Sequence, residues 1–399
     1  MNRAKIVSLG LLVVAELCGM NLWFASAAIL PDLVRETGLS GNWQALLSSA
    51  VQAGFVAGAL VISISGTADR FDPRKVLCAC AILAGLCSSA MLVLPAASYA
   101  TVAFRFLTGA CLAGVYPVGL KIAVGWGIRD RGLIVALLVG ALTFGKSLPY
   151  LVAFLGGADW RLVIAVTSVL AGLGGVAALG SSLGPHHARA PRFNPRAIAL
   201  AWTEPRIRWA YLGYFGHMWE LYAMWAWVAA VAGASYAMTL AAEEAHSLAK
   251  LSAFLAIALG GLTCIAAGAV ADRIGKAEVA ITAMAASGAT AIAIAASFGG
   301  PVWLTFVLVV IWGMAVIPDS AQFSALVADA SPPHLSGSLL TMQTAIGFGL
   351  TIFTVQMTPL AAIQLGWPVT VCIMAAGPFA GIVAMLPLRR KATAVMPPP

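Results

Sequence analysis

The feature that most constrains this chain is a succession of apolar runs, each about 20 residues long or more, separated by short polar or Gly/Pro-containing breaks. A helix rises about 1.5 Å per residue, so about 20 apolar residues are needed to cross the hydrocarbon core of a bilayer. Only 10% of the residues are charged and 61% are hydrophobic, which is far more apolar than an ordinary soluble domain. The chain is therefore predicted to be an all-α integral membrane protein that crosses the bilayer many times.

The runs predict twelve transmembrane helices, and the alternating short strands of a membrane barrel are not visible in the sequence. The first run is flanked by Arg3 and Lys5 but is longer than the core of a signal peptide, so it is interpreted as a retained helix. The predicted spans are 6–30, 43–65, 76–95, 99–125, 132–156, 162–184, 207–233, 249–270, 279–298, 302–327, 338–362 and 366–387.

Lysines and arginines are distributed unevenly among the segments that connect the predicted helices. Arg35, Arg161 and Lys250 lie on the side opposite the N-terminus, whereas most of the other basic residues lie on the N-terminal side. Because basic residues accumulate in cytoplasmic loops, both termini are predicted to be cytoplasmic, in a membrane that we expect to be the bacterial inner membrane. The net charge of +8 is thus a topology signal, and no basic segment interleaved with aromatic residues supports nucleic-acid binding.

A stretch rich in Pro and Arg divides the predicted helices into two sets of six, and short sequences recur in the two sets. Ala-Asp-Arg ends at Arg70 and again at Arg273, and Glu-Leu-x-x-Met-x-x-Trp begins at Glu16 and again at Glu220, with nearly the same separation. Parallel repeats of this kind build one large class of transporters. The predicted organisation is an N-terminal six-helix bundle, a cytoplasmic linker, and a C-terminal six-helix bundle with a short tail, at 1–184, 185–206 and 207–399.

The segment 65–75 resembles the signature loop G-x-L-A-D-R-x-G-x-R-K of the major facilitator superfamily. It departs from that pattern at Ser65 and Asp72, which occupy the positions of two glycines. A degenerate copy lies at 268–276, and the segment that begins at Arg105 is similar to the R-x-x-x-G motif that the family associates with proton coupling. The resemblance implies two pseudo-symmetric six-helix bundles that move a small solute by alternating access, driven by a proton or ion gradient, without a cofactor or enzymatic activity.

The two Asp-Arg loops are interpreted as a conformational gate. An Asp at a helix end can pair with an Arg, or with the positive N-terminus of a neighbouring helix, in one conformation and release it in the other. Simple anchoring of basic residues at the cytoplasmic surface is the alternative interpretation. The residues assigned to the gate are Asp69, Arg70, Arg74, Asp272 and Arg273.

Ionisable side chains inside the predicted spans mark the candidate pathway, because a charge in a bilayer costs several kcal/mol and normally faces a cavity. Lys121 lies near a helix end, where snorkelling explains it. The repeated Glu, Met and Trp spacing places three side chains on one helical face, so both sets are expected to converge near the midplane. The predicted pathway for substrate and protons comprises Glu16, Met20, Asn21, Trp23, Arg105, Lys146, His217, Glu220, Met224, Trp227 and Asp319.

Within this pathway, Glu16 and Arg105 are the favoured pair for proton binding, with Asp319 and Glu220 as alternatives. Burial disfavours the charged carboxylate and a nearby Arg favours it, so such a pair can load and release a proton as the cavity opens to each side.

The stretch 140–147 is a literal match to the P-loop pattern G-x-x-x-x-G-K-[ST]. A P-loop requires a strand that leads into a turn whose free amides cradle phosphate. This stretch is predicted to lie within a membrane helix whose amides are already hydrogen-bonded, which argues against ATP binding. Lys146 is instead interpreted as a central cation.

The sequence leaves several substrates open. A small organic anion or zwitterion is favoured, because Arg105 and Lys146 supply positive charge inside the membrane. Organic cations are an alternative, since acidic and aromatic side chains together recognise lipophilic cations. A copper importer with Met20, His217 and Met224 as ligands is another, and a non-transporting membrane sensor is an alternative of a different class. The protein is expected to be a monomer.

Overall fold

The computed structural model describes residues 3–127, 131–157, 159–187 and 194–389. All regular secondary structure within these ranges is helical. The first part of the chain contains the helices α1 (Arg3–Met20), α2 (Ala25–Thr37), α3 (Gly41–Ser65), α4 (Thr67–Arg70), α5 (Pro73–Ser89), α6 (Tyr99–Leu112), α7 (Tyr116–Val124), α8 (Arg131–Leu155) and α9 (Trp160–Leu179).

The second part of the chain begins with a short helix, α10 (Ile198–Thr203), that lies within the predicted linker. The other helices of this part are α11 (Pro205–Tyr236), α12 (Ala242–Ile274), α13 (Lys276–Ala296), α14 (Val302–Val316), α15 (Ser320–Ala330) and α16 (Pro333–Met385). We refer to the residues before and after this linker as the first half and the second half.

Ten segments of the described residues are long and apolar enough to cross a membrane. The last of them, Leu335–Leu388, contains Gly366 at φ 79° and ψ 162°, a conformation that interrupts α16. Glycine adopts this conformation readily because it has no Cβ to clash. The 32-residue helix α11 is not among the ten segments but is also long and largely buried.

Three predicted spans are each divided into two helices in the structure, so the prediction of uninterrupted helices was wrong there. The breaks follow Met20, Leu112 and Val316, and helix resumes at Ala25, Tyr116 and Ser320. The residues inside the first two breaks are mostly apolar, so hydropathy does not distinguish them from helix. The breaks matter because backbone groups at the ends of a helix lack intrahelical partners.

The helices α3 and α6 approach so closely that their backbones touch. A Cβ atom on Gly54 would meet the carbonyl oxygen of Phe106, and one on Gly109 would meet that of Val51. Glycine permits such contact between membrane helices because nothing projects beyond the backbone. Gly109, the glycine of the R-x-x-x-G motif, is therefore a packing position.

The two halves meet along two seams, one between α3 and α16 and one between α8 and α12. In the second seam, a Cβ on Gly261 would lie 3.3 Å from the carbonyl oxygen of Gly140. The hydroxyl of Tyr150 also links the halves, since it donates to the carbonyl oxygen of Trp225 at 2.7 Å. The stretch 140–147 belongs to α8, so it is helical as expected.

The structure of the loop that resembles the superfamily signature explains the two departures at glycine positions, Ser65 and Asp72. Gly66, one residue after Ser65, has φ 64° and caps α3. Asp72 caps the N-terminus of α5, because its carboxylate accepts a hydrogen bond from the Arg74 backbone N–H at 3.0 Å. The Arg74 guanidinium also binds that carboxylate at 2.7 Å and lowers the pKa of Asp72. Asp72 thus replaces a glycine with a capping interaction.

Arg74, one of the predicted gate residues, does not bridge the two halves. Arg74 Nη1 donates to the carbonyl oxygen of Ser181 at 3.0 Å, and both residues belong to the first half. Arg70 and Arg273 are exposed. The side chains of Asp69 and Asp272 lie outside the described part of the structure.

Candidate functional site

A buried lysine in the middle of α8 lies at the contact between the two halves. Lys146 Nζ donates a hydrogen bond to the Tyr222 hydroxyl of α11 at 2.7 Å. Lys146 is only 2% exposed, and no carboxylate of the described residues lies within ion-pair distance of its amine. The amine therefore contacts a neutral hydroxyl and aromatic rings rather than an acid.

Three aromatic rings surround that amine. Lys146 Nζ lies 4.4 Å from the centre of the Trp23 ring, 4.8 Å from that of Tyr222 and 5.0 Å from that of Trp225. These distances permit cation–π attraction, which is strongest where water is excluded. Phe348 extends the wall, with ring centres 5.0 Å from Tyr222 and 5.5 Å from Trp23. We call these five residues the Lys146 cluster.

Arg105 of α6 is fully buried beside the break between α1 and α2. Its Nη2 atom donates to the carbonyl oxygens of Leu22 at 3.0 Å and Trp23 at 3.4 Å, and Nη1 donates to Ser88 Oγ at 3.2 Å. Carbonyl groups at the end of a helix lack intrahelical partners, so a buried break needs a donor such as this guanidinium. The predicted pair of Arg105 with Glu16 is accordingly not formed, because Arg105 is committed to the helix break.

Glu16 lies in α1 with its carboxylate fully buried. Neither carboxylate oxygen has a hydrogen-bond partner among the described residues. A Cβ added to Gly119 of α7 would meet Glu16 Oε1, so the carboxylate packs against the α7 backbone at the glycine. Both oxygens are therefore available to bind a proton.

Glu220, the counterpart of Glu16 in the repeated pattern, has both oxygens satisfied. Trp312 Nε1 donates to Oε1 at 2.8 Å, and Ser287 Oγ donates to Oε2 at 2.5 Å. These partners belong to the second half, whereas Glu16 packs within the first half. The expected convergence of the two carboxylates is therefore not found in the described contacts, because each Glu packs inside its own half.

His217 and Asp319 form a buried pair in the second half. His217 Nδ1 lies 2.9 Å from Asp319 Oδ1, and neither side chain is more than 2% exposed. Asp319 lies in the break before α15 and occupies its N-cap position, where free backbone N–H groups favour a negative charge. The sequence identified both residues but not their contact, since they lie on separate helices.

Trp23 is not on the helical face predicted for it. Because α1 ends at Met20, Trp23 lies in the irregular segment that follows, and the i, i+4, i+7 projection that begins at Glu16 does not extend to it. The break nevertheless brings the Trp23 ring to Lys146.

The remaining predicted pathway residues are buried. Met20 and Met224 are fully enclosed, and the amide of Asn21 has no hydrogen-bond partner among the described residues. Trp227 Nε1 donates to the carbonyl oxygen of Val355 in α16 at 3.0 Å. Within the described ranges, no group of three His, Cys, Asp or Glu side chains is arranged to hold a metal ion.

A charged network that the sequence did not suggest joins the halves at the face opposite the N-terminus. Asp32 of α2 lies 2.7 Å from Lys250 Nζ and 2.8 Å from His246 Nε2, both on α12. Arg35 contacts Asp32 at 3.1 Å, and Lys250 also donates to the carbonyl oxygen of Gly157 at 2.7 Å. Asp32 and Lys250 are each about 3% exposed or less. We call these five residues the opposite-face network.

A cavity of about 250 Å³ adjoins this network between α2, α11 and α12. Its lining includes Pro31, Trp227, Ala230 and Lys250. Of these lining residues, Trp227 also belongs to the predicted pathway, and Lys250 also belongs to the opposite-face network. The cavity is thus placed where solvent would enter if the halves separated at this face.

Buried ionisable residues at the contact between the two halves, in a chain whose described residues include ten membrane-capable segments, are typical of a multi-pass membrane transporter. A family model described as Major Facilitator Superfamily matches residues 11–353. The chain belongs to the major facilitator superfamily, whose members are transporters and not enzymes.

Solved transporters share the fold along nearly the whole chain. The xylose transporter XylE from E. coli, in a partially occluded inward-open conformation, superimposes with a TM-score of 0.73 at 13% identity and covers 96% of this chain and 97% of that one. The nucleoside transporter NupG gives a TM-score of 0.72 at 15% identity, with 97% and 100% of the two chains covered. At these identities the similarity shows the fold alone.

A gallate transporter from Pseudomonas putida is 29% identical over 164 residues. The match covers 37% of this chain and 36% of that transporter, so it spans little more than a third of either protein.

Replacing Asp32 with asparagine is expected to open the face that carries the network. The change leaves Lys250 as a buried charge without its acid, which typically costs about 3–5 kcal/mol. A cysteine at Ala230, in the adjoining cavity, should then react roughly tenfold faster or more with a membrane-impermeant maleimide, since each 1.4 kcal/mol is about a factor of ten. The background should carry Cys372→Ser, because Cys372 is the exposed native cysteine of the described residues.

The matched control is Glu36→Gln. Glu36 pairs with Arg161 at 2.6 Å on the same face, but both residues are exposed and both belong to the first half. Labelling at Ala230→Cys should be unchanged in this control. Equal labelling rates in Asp32→Asn and the parent protein would show that the network does not hold the halves together.

Proposed function

We propose that the protein is a proton-coupled secondary transporter that moves a small organic anion across the membrane by alternating access. The observation that carries this proposal is Lys146, a buried cation at the contact between the halves that has no acidic partner among the described residues. A buried charge is costly unless it is paired, so such an amine is a natural ligand for an anion that enters from solution.

The same geometry disfavours an organic cation as substrate. The aromatic rings that would recognise it already face the Lys146 amine, whose charge would repel a second cation. Glu220 is an acid that could attract a cation, but its carboxylate oxygens already accept hydrogen bonds from Trp312 and Ser287. The partial similarity to a gallate transporter supports an anionic substrate, since gallate is a carboxylate.

The architecture we propose has twelve membrane spans. Ten segments qualify by length and composition, Gly366 divides the last of these in two, and α11 adds another. The uneven distribution of basic residues supports our proposal that both termini are cytoplasmic. We also propose that the membrane is the inner membrane of a bacterium and that the chain is a monomer. The proposed units are two bundles and a linker, at 1–184, 207–399 and 185–206.

Glu16 is the proposed proton-binding residue. It is buried, and its oxygens have no donor among the described residues, whereas those of Glu220 accept two hydrogen bonds. Asp319, beside His217, is the alternative. Neither assignment requires the Glu16–Arg105 pair.

The test is uptake into proteoliposomes with an imposed pH gradient. Purified protein should accumulate an organic anion only when the gradient is present, and a protonophore should abolish the accumulation. Glu16→Gln should lose gradient-driven accumulation while retaining exchange of labelled for unlabelled anion, because only proton binding is removed. Exposed Glu243 provides the control Glu243→Gln, which should accumulate normally.

Two outcomes would contradict the proposal. A protein that binds but never moves any organic anion would be a membrane sensor rather than a carrier. Full accumulation by Glu16→Gln would show that another acidic residue binds the proton, and Asp319 would be the next residue to replace.

A further inference from the structure

The Lys146 cluster contains more hydrogen-bond donors than acceptors. A lysine ammonium has three N–H donors, and here one of them is directed to the Tyr222 hydroxyl. The indole N–H groups of Trp23 and Trp225 are buried and have no acceptor among the described residues. A ligand suited to this cluster must therefore supply acceptor atoms.

The walls of the same cluster are aromatic. Trp23, Tyr222 and Phe348 pack against one another with ring centres 5.0 to 5.6 Å apart. Phe55 lies 4.9 Å from Trp23 and 5.0 Å from Phe348, so the aromatic surface continues toward α3. Rings in such arrangements favour another flat ring in an offset or edge-on position over a saturated one.

Together, the donor excess and the rings define a narrow class of ligand. A carboxylate supplies two acceptor oxygens and a negative charge, and the Lys146 amine has no acidic partner among the described residues. An aromatic ring attached to it would pack among Trp23, Trp225 and Phe348. A sugar would instead need many polar side chains that both donate and accept, and these rings do not offer them.

On this geometry, and resting on the proposed function, we propose that the substrate is a small aromatic carboxylate whose carboxylate binds Lys146 Nζ while its ring packs against Trp23 and Trp225. Binding replaces the hydrogen bond between Lys146 and Tyr222 with one to the ligand. Because those two residues belong to different halves, the same exchange weakens one link across the transport interface.

The test is a set of binding measurements by isothermal titration calorimetry on the purified full chain. The probes are benzoate, cyclohexanecarboxylate with the same charge on a saturated ring, benzyl alcohol with the ring but no charge, and benzylamine with the opposite charge. Benzoate should bind roughly tenfold more tightly than cyclohexanecarboxylate, because aromatic pairs contribute beyond the buried area. Benzyl alcohol and benzylamine should bind far more weakly.

Variants of Trp23 separate a ring effect from a structural one. Trp23→Leu should reduce the preference for benzoate over cyclohexanecarboxylate to near one, whereas Trp23→Phe, which keeps a ring, should retain most of it. Trp43→Leu is the control, because Trp43 packs on Tyr99 away from the cluster. If Trp23→Leu does not fold, the ratio of the affinities for benzoate and cyclohexanecarboxylate, measured on the unmodified protein, still tests the preference for an aromatic ring.

The outcomes distinguish this inference from the function on which it rests. Equal affinity for benzoate and cyclohexanecarboxylate, with uptake of either into vesicles, overturns the aromatic class and leaves the anion carrier intact. Tightest binding of benzylamine overturns the inference and the anionic substrate together. No binding of any aromatic acid, with gradient-driven uptake of an aliphatic anion, overturns the inference alone.

Discussion

Replacing Lys146 with methionine is expected to reduce uptake of the organic anion by roughly 30-fold or more. Methionine keeps the length and apolar stem of lysine but removes the charge and the hydrogen bond to Tyr222. Loss of one partner from a buried, hydrogen-bonded charge pair costs about 2–5 kcal/mol, and each 1.4 kcal/mol is about a factor of ten. Initial rates in proteoliposomes and calorimetric affinity should fall together.

Folding should survive that replacement, which makes the result interpretable. The environment of Lys146 is aromatic, so methionine is compatible with it, and sulfur packs favourably near aromatic rings. The thermal midpoint of the variant should therefore equal or exceed that of the parent protein. Lys75→Met, at an exposed lysine, is the control and should transport normally. Unchanged uptake by Lys146→Met would remove the central support for an anionic substrate.

Replacing Gly109 with valine is expected to abolish recovery of folded protein. The added Cβ would meet the carbonyl oxygen of Val51 in α3, a backbone atom that cannot move aside as a side chain would. Overpacking of a tight interface costs about 1–3 kcal/mol. Because Gly54 of α3 also packs against the α6 backbone, we expect α3 to separate from α6. Size-exclusion chromatography of detergent-solubilised protein should show aggregate in place of a monodisperse peak.

The control for this variant is Gly172→Val in α9, where a Cβ would meet nothing within 4 Å. Both changes add the same β-branched side chain to a membrane helix, so they differ only in the space available. A normal elution profile and thermal midpoint for Gly109→Val would show that the α3–α6 contact is looser than the structure describes.

Much of the fold could be predicted from hydropathy, because long apolar runs have few alternatives to spanning helices. The breaks within three of the predicted spans could not be predicted from hydropathy. The segment from Met20 to Ala25 is almost as apolar as the helices it separates, and the break depends on Arg105, a donor far away in the sequence. The same dependence explains why the expected Glu16–Arg105 pair is absent, since the sequence shows a charge but not the backbone it must satisfy.

The candidate site was predicted in part. Lys146 and Glu16 were recognised because a charge inside an apolar run is conspicuous. Tyr222 and Trp225 were not, because aromatic residues are common in apolar helices and only their three-dimensional contact with Lys146 distinguishes them.

The opposite-face network was missed for a different reason. Asp32 lies just beyond a predicted span and Lys250 at the start of another, where charges usually meet solvent. The sequence does show that Asp32 and Arg35 lie one turn apart at a helix end. This spacing indicates an ion pair there, but it does not indicate the partner of Asp32 on α12.

The hydrogen bond between Lys146 and Tyr222 bears on the energetics of the unloaded carrier. A buried cation left bare after its cargo departs would make reorientation of the empty molecule costly and would confine the protein to one-for-one exchange. In this chain the Tyr222 hydroxyl and the rings of Tyr222 and Trp225, all in the second half, contact the amine. On the proposed function, we therefore expect the return half of the cycle to run without a bound anion, with net accumulation rather than one-for-one exchange.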